Sequence, residues 1–305
     1  MRYRYVVADV FTDKPFTGNP LAVFPEAQGL SAEQMQRIAA ELNLSETAFV
    51  LPPETGGYAR VRIFTPASEL PFAGHPTVGT AMVLAKTGTI PAGLLDLVFE
   101  EGAGPVPVSL EWSDGDPTLA WLTPPVLPRV DGEPPAPEDI ARAISLDLPD
   151  LDLAPPGPAV LSAGNPFLVV PLRDAGALAR ARVDTVPWRS LMDGVVASGL
   201  YMFCSVGPAG SRRLRARLFA PDQGIPEDPA TGSAAAALPA DLVRRHDHAD
   251  GLSRWTVEQG IEMGRPSELT IEVTVRSGAI EAVRVGGTAV IVSEGTMDVP
   301  GPSRP

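Results

Sequence analysis

The chain has one cysteine, three histidines and a shortage of positive charge in its 305 residues. Cys204 is alone, so no internal disulfide can support the fold, which fits a reducing, cytoplasmic setting. Two of the histidines, His246 and His248, share one charged stretch, and elsewhere no His or Cys spacing suits a metal. A formal net charge of −13 argues against nucleic acid as a partner, which would need a basic face. No apolar run is long enough to cross a membrane as a helix. The opening MRYRYVVADVF is basic and then apolar, but the apolar part is short, alternates and contains Asp9, so it reads as a strand and not as a signal peptide. No GxGxxG start follows a strand and no GxxxxGK[ST] loop occurs, so no nucleotide cofactor is expected.

What the sequence does contain is a copy of itself. Arg62-Ile63-Phe64-Thr65-Pro66 leads through a loop to Gly74-His75-Pro76-Thr77-Val78-Gly79-Thr80. Arg217-Leu218-Phe219-Ala220-Pro221 leads through a shorter loop to Glu227-Asp228-Pro229-Ala230-Thr231-Gly232-Ser233. Both run strand, loop, polar residue, Pro, then small apolar residues, and His75 and Asp228 fall at equivalent places. Gly164-Asn165-Pro166 echoes Gly18-Asn19-Pro20 in the same way. A duplication of this kind predicts two similar halves related by a pseudo-twofold axis, with a site between them.

The chain is long enough for two domains. Alternating, β-rich segments predict strands over 3–10, 21–24, 45–50 and 58–64, and again over 200–206 and 214–219. Ser31 and Gln34 fit a capping box, and Met35, Ile38, Ala39 and Leu42 follow at helical spacing, with a stop near Asn43. Helices are expected from His75 to about Lys86 and over 229–238, the second meeting Pro239, which should bend or end it. The Pro-rich, acidic segment 123–158 reads as a linker region with one short helix over 137–144. These boundaries give an α+β protein with an N-terminal domain over 1–125, completed by a strand near 288–295 that crosses back. A C-terminal domain follows over 126–287, and 296–305 is a tail.

Both copied helices lack a charged face, so each should be buried on all sides, with a mixed sheet wrapped around it. The first N–H groups of a helix have no internal partners, and in a closed cleft they suit a substrate carboxylate. Asp228 before Pro229 also suits a purely structural N-cap, since Asp is a common cap. His75 is a poorer cap. What points to a site is that equivalent positions carry different chemistry, an imidazole and a carboxylate. Glu46, at the start of the strand Glu46-Thr47-Ala48-Phe49-Val50, is an exposed strand-end residue on spacing alone. It becomes a candidate only if both halves close over one cleft, and its counterpart lies near Tyr201.

Together, DVFTDKPFTGNPLAVF, NLSETAFV, RIFTPASELPFAGHPTVGTA, SAGNPFLVV, RLFAPDQGIPEDPATGSAAAAL and VGGTAVIVSEG resemble the phenazine-biosynthesis isomerase-like (PhzF-like) family, which is similar in fold to diaminopimelate epimerase. The resemblance runs from the first strand to the last and leaves out the Pro-rich middle. It implies a cofactor-free isomerase acting on a small anionic substrate between the domains, and a homodimer. It also implies Glu46 as the acid/base group, His75 and Asp228 as catalytic partners, and Gly74, Gly232 and Ser233 as substrate contacts. Related epimerases use two cysteines at the two helix starts, and one cysteine cannot supply that mechanism. A binding protein without turnover and a racemase of a small amino acid are the alternatives.

Overall fold

The computed structural model describes residues 1–208, 210–245 and 250–301. The chain falls into two compact units, Met1–Pro125 with Gly286–Pro305, and Val126–Val285. In chain order the first unit opens with β1 (Arg2–Val10), β2 (Asn19–Phe24), α1 (Ala32–Leu42), β3 (Glu46–Leu51), β4 (Ala59–Phe64) and β5 (Glu69–Leu70). It continues with α2 (Gly74–Lys86), β6 (Asp96–Glu101), β7 (Gly104–Ser113) and β8 (Asp116–Leu122). The second unit holds β9 (Arg129–Gly132), α3 (Pro137–Ala143), β10 (Ala159–Ser162), β11 (Pro166–Pro171), α4 (Ala175–Arg180), α5 (Thr185–Met192), β12 (Leu200–Val206) and β13 (Arg213–Ala220). It ends with β14 (Ile225–Asp228), α6 (Gly232–Ala237), α7 (Pro239–Arg245), β15 (Gly251–Gln259), β16 (Ser267–Arg276) and β17 (Ala279–Gly287), after which β18 (Ala289–Asp298) returns to pair antiparallel with β1.

The strand pairings of the two units repeat. In the first, β1–β2 is antiparallel, β2–β3 parallel, β3–β4 antiparallel, β4–β6 parallel and β6–β7 antiparallel. In the second, β10–β11, β11–β12, β12–β13, β13–β15 and β15–β16 follow the same alternation. The short strands β5 and β14 pair with β4 and β13 at equivalent places. The duplication reaches side chains. Arg62 makes a two-pronged contact with Glu69 and lies over the Phe64 ring, and Arg217 does the same with Glu227 and Phe219.

In the first unit α2 is buried from Gly74 to Ala85, as its lack of a charged face requires. It packs on β1, β2, β3, β7, β8 and β18. Gly79 permits the close approach: a Cβ there would stand 2.6 Å from both Leu21 and Val10 side chains. The amphipathic α1 covers a second layer, where Phe24 stacks on Phe49, Phe64 meets Phe49 edge to face, and Met35, Ile38 and Ala39 join them. Ser31 and Gln34 form the capping box, and Asn43 ends the helix in the left-handed conformation.

Three differences from the sequence-based expectations have physical causes. The segment 123–158 is not simply a linker: it supplies β9 and α3, and Ile140, Ile144, Leu146 and Leu151 join the core of the second unit with Trp188 and Leu200. Helix α6 starts at Gly232 and not at Pro229, because Gln259 takes the Thr231 N–H and the Asp228 carbonyl and keeps that stretch extended. At Pro239, expected to bend or end the helix, α6 gives way to a separate helix, α7, because proline has no N–H to give. Strand β18 runs on to Asp298, where Arg2 pairs with it, so the tail does not begin at 296. Residues 302–305 of the expected tail, and His246 and His248, lie outside the described residues.

Candidate active site

Glu46 opens β3, whose parallel pairing with β2 sets Glu46 opposite Leu21. The carboxylate is not solvated; the residue is 7% exposed. His75 is the second residue of α2 and is 4% exposed. Its Nε2 lies 3.2 Å from Glu46 Oε2. The two atoms are at ion-pair distance but off the line of a hydrogen bond, a looseness common where a catalytic contact tightens only around substrate. On the other side of the ring, Asn19 Nδ2 lies 3.3 Å from Nδ1. A neutral ring carries one proton, so whether Nδ1 donates or accepts on this side follows the tautomer.

Burial decides the charge of His75. Desolvation pulls its pKa down to about 3, against a smaller upward pull from the Pro20 carbonyl, which accepts from the ring. At neutral pH the imidazole is uncharged, so the contact with Glu46 is a carboxyl beside a neutral ring and not an ion pair. Such a pair can pass a proton between the carboxyl and a bound molecule while the imidazole fixes the orientation of the carboxyl.

The second unit holds Asp228 at the end of β14, paired with Leu218 of β13. It does not cap the helix, as its place before Pro229 suggested. Its Oδ2 accepts instead from Thr231 Oγ1 at 2.5 Å. Gln259, fully buried at the end of β15, binds this turn through both ends of its amide. Nε2 donates to the Asp228 carbonyl at 2.8 Å and to Thr231 Oγ1 at 3.0 Å, and Oε1 accepts from Thr231 N–H and from Tyr201 OH. Tyr201 keeps its phenol proton because burial, and then the charge of Asp228, raises its pKa. It was the expected counterpart of Glu46, but the registers that set Thr47 on Phe64 and Leu200 on Phe219 match Glu46 with Gly199.

Of the substrate-contact candidates, Gly74 and Gly232 are the buried first residues of α2 and α6, and Ser233 follows half-buried. The N-cap of α2, Ala73, has no side chain to bond the first N–H groups. Asn19, Gln259 and Thr231 escaped the reading of the sequence. The Gly-Asn-Pro repeat was a signal for Asn19, and the Gln-Gly pair that ends β15 was one for Gln259. Among the described residues, no group of three or more His, Cys, Asp or Glu side chains could hold a metal ion, and no helix is long and apolar enough to cross a membrane.

The same segments recur in other proteins. The sequence matches the "Phenazine biosynthesis-like protein" family over residues 8–295. An uncharacterised isomerase of Mesorhizobium japonicum is 39% identical over 96% of this chain and 98% of its own. The trans-2,3-dihydro-3-hydroxyanthranilate isomerase of Pseudomonas aeruginosa is 37% identical over 96% of this chain and 98% of its own. The crystal structure of a PhzF-family phenazine biosynthesis protein of Bacillus anthracis superposes with a TM-score of 0.88 at 29% identity, covering 98% of this chain and all of the other. With its duplicated α+β architecture and relatives that are isomerases along nearly their whole length, the chain belongs to the phenazine biosynthesis-like family and is an isomerase.

Proposed function

We propose that the protein moves a proton within a small carboxylate-bearing substrate, without a cofactor, and that Glu46 takes and returns that proton. The observation that carries this reading is the buried contact of Glu46 with a neutral imidazole at 3.2 Å. The Glu46 carboxylate removes a proton from a carbon next to a conjugated system. The electron pair shifts the double bond, and the same carboxyl delivers the proton to another carbon. His75 packs against Glu46 and holds it on the face where the proton leaves and returns. Backbone N–H groups at Gly74 and Gly232, with the Ser233 hydroxyl, receive the substrate carboxylate, and charge building toward it is stabilised there. Asp228 contributes from the second unit as a partner in the proton transfers. The protein works as a homodimer in the cytoplasm on this reading, which sedimentation and cell fractionation check.

The first compound to test is trans-2,3-dihydro-3-hydroxyanthranilate, because the Pseudomonas aeruginosa relative is named for it. In deuterated buffer containing a chelator, the protein should exchange a substrate C–H and release an isomer. Glu46→Gln keeps the shape and removes the base, and should slow exchange by about two to four orders of magnitude. Unchanged exchange in Glu46→Gln would remove Glu46 from the chemistry. A protein that binds small cyclic carboxylates and exchanges none of them is a binding protein.

A further inference from the structure

A third pair of equivalent residues appears where the two site-bearing turns are held. Strand β6 ends in Glu100-Glu101-Gly102 and β15 ends in Glu258-Gln259-Gly260. Both strands run parallel to the Arg-x-Phe strand of their own unit, β6 to β4 and β15 to β13. Both glycines lie against a proline in the segment leading to the helix. A Cβ on Gly102 would stand 2.9 Å from Pro71 Cα, and one on Gly260 would stand 2.7 Å from the Pro229 carbonyl. Glu101 and Gln259 therefore occupy the same place in the two units, one a carboxyl and the other its amide isostere.

Hydrogen accounting then fixes the state of Glu101. Thr77 Oγ1 lies 2.7 Å from the Ala73 carbonyl and 2.6 Å from Glu101 Oε1. A hydroxyl has one hydrogen, and a carbonyl and a carboxylate are both acceptors only. The Thr77 hydrogen can serve one of them. The second contact needs a hydrogen from the far side, and only a protonated carboxyl brings one. The second unit shows the arrangement with the hydrogen supplied by an amide: Gln259 Nε2 donates to Thr231 Oγ1, whose own hydrogen goes to Asp228 Oδ2. We infer that Glu101 is a neutral carboxylic acid that donates to Thr77 and positions the helix turn carrying His75, as Gln259 positions the turn carrying Asp228.

The surroundings agree. Glu101 is buried at the N-terminal turn of α2, and burial pushes its pKa up to about 8 against smaller downward pulls from the Thr77 hydroxyl and the Ala73 N–H. No charged side chain acts on it among the described residues. The neighbouring Glu100 is committed elsewhere, accepting from the N–H groups of Glu54, Thr55 and Gly57. Opposite Glu101, β7 offers only Gly104, and the other titratable group on the same turn of α2, His75, faces Glu46. Glu101 touches no reacting group, so it is a positioning residue. Its link to catalysis rests on the function proposed above, while its protonation can be measured without any substrate.

The test is an infrared difference spectrum of the parent protein against Glu101→Gln at pH 7. The parent should show the C=O band of a protonated carboxyl that the variant lacks. A raised pKa in the folded state stabilises most below the unfolded value and is lost as pH rises to the folded one. The folding equilibrium constant of the parent relative to Glu101→Gln should therefore fall about tenfold per pH unit between about 4.5 and about 8. Thr77→Val removes the acceptor and should move the carboxyl band to higher frequency. In turnover, Glu101→Ala should lose activity that Glu101→Gln restores. Absence of the band, a folding ratio flat in pH, or a band unmoved in Thr77→Val each overturns the assignment. Because the spectra and unfolding need no turnover, they read out even if Glu46 proves not to be the base.

Discussion

His75 Nε2 stands 3.2 Å from Glu46 Oε2 with both side chains buried, and the imidazole is held neutral by the cost of burying its charge. The two residues come from different elements, a strand start and a helix start, and their contact is set by the packing of α2 against β2 and β3. That packing depends on small residues along α2, Gly79 among them, which is why the copied helices carry so little bulk.

The first prediction concerns His75 and acid. Its folded pKa of about 3 lies below the ordinary 6.5, so the stability linked to the neutral ring is present above pH 6.5 and lost as pH falls toward 3. Over that window one proton more is bound by the unfolded chain, and stability should drop by about 1.4 kcal/mol per pH unit. Denaturant unfolding of the parent and of His75→Gln between pH 3 and 7 measures this. The parent should lose ground to the variant as pH falls. Parallel curves would show that the buried imidazole accepts a proton as readily as a solvated one.

How much of this was written in the sequence depends on how far the determining contact reaches. The duplication, the capping box at Ser31 and the buried helix at 74–86 rest on local patterns, and the structure has them. The expected helix start at Pro229 failed because Gln259, far along the chain, captures the backbone of Asp228 and Thr231. Asn19 looked like part of a turn, since the contact of its side chain with His75 exists only once α2 packs on β2. Glu101 and Gln259 were invisible for another reason. They match only when the ends of two strands are aligned across units with different loops between, and one is acidic and the other neutral. The segment over 123–158 looked like a linker because its prolines and acidic residues hide core positions, Ile140, Ile144, Leu146 and Leu151 among them.

The second prediction uses the copied arginines as a matched pair. Arg217 is buried, chelates Glu227 at 2.8 and 2.9 Å, and donates to the carbonyls of Leu178 and Ala181. Arg62 chelates Glu69 at 2.7 Å, but that carboxylate is 42% exposed. Removing one partner of a buried pair strands the other, a cost of about 3–5 kcal/mol, whereas an exposed pair contributes ~0–1 kcal/mol. Arg217→Ala should therefore destabilise the protein several-fold more than Arg62→Ala in urea unfolding. Equal costs would mean that the ring contacts with Phe219 and Phe64, which the two share, matter more than the ion pairs. Arg217→Lys should recover little, since an ammonium cannot make the two-pronged contact.

The last prediction concerns the single thiol. Epimerases of related fold are expected to use two cysteines, and this chain has Cys204 alone, so a thiol mechanism here would have to run through that one residue. Cys204 lies buried in β12, paired with Arg215 of β13, among the apolar side chains of the second unit. Burial, with smaller contributions from Asp174 and Glu262, pushes its pKa up to about 11, against a smaller opposing pull from Arg215. At neutral pH the group is a thiol and not a thiolate, and only the thiolate takes a proton from carbon or reacts quickly with alkylating reagents. Cys204→Ser should leave turnover near the parent value. It should cost about 1–3 kcal/mol in stability, because the serine hydroxyl is more expensive to bury than a thiol. Iodoacetamide should modify the folded protein slowly, and the rate should rise only when denaturant opens the second unit. A Cys204→Ser variant that folds at the parent's melting temperature and yet exchanges no substrate proton would place the chemistry on the thiol and remove Glu46 from it.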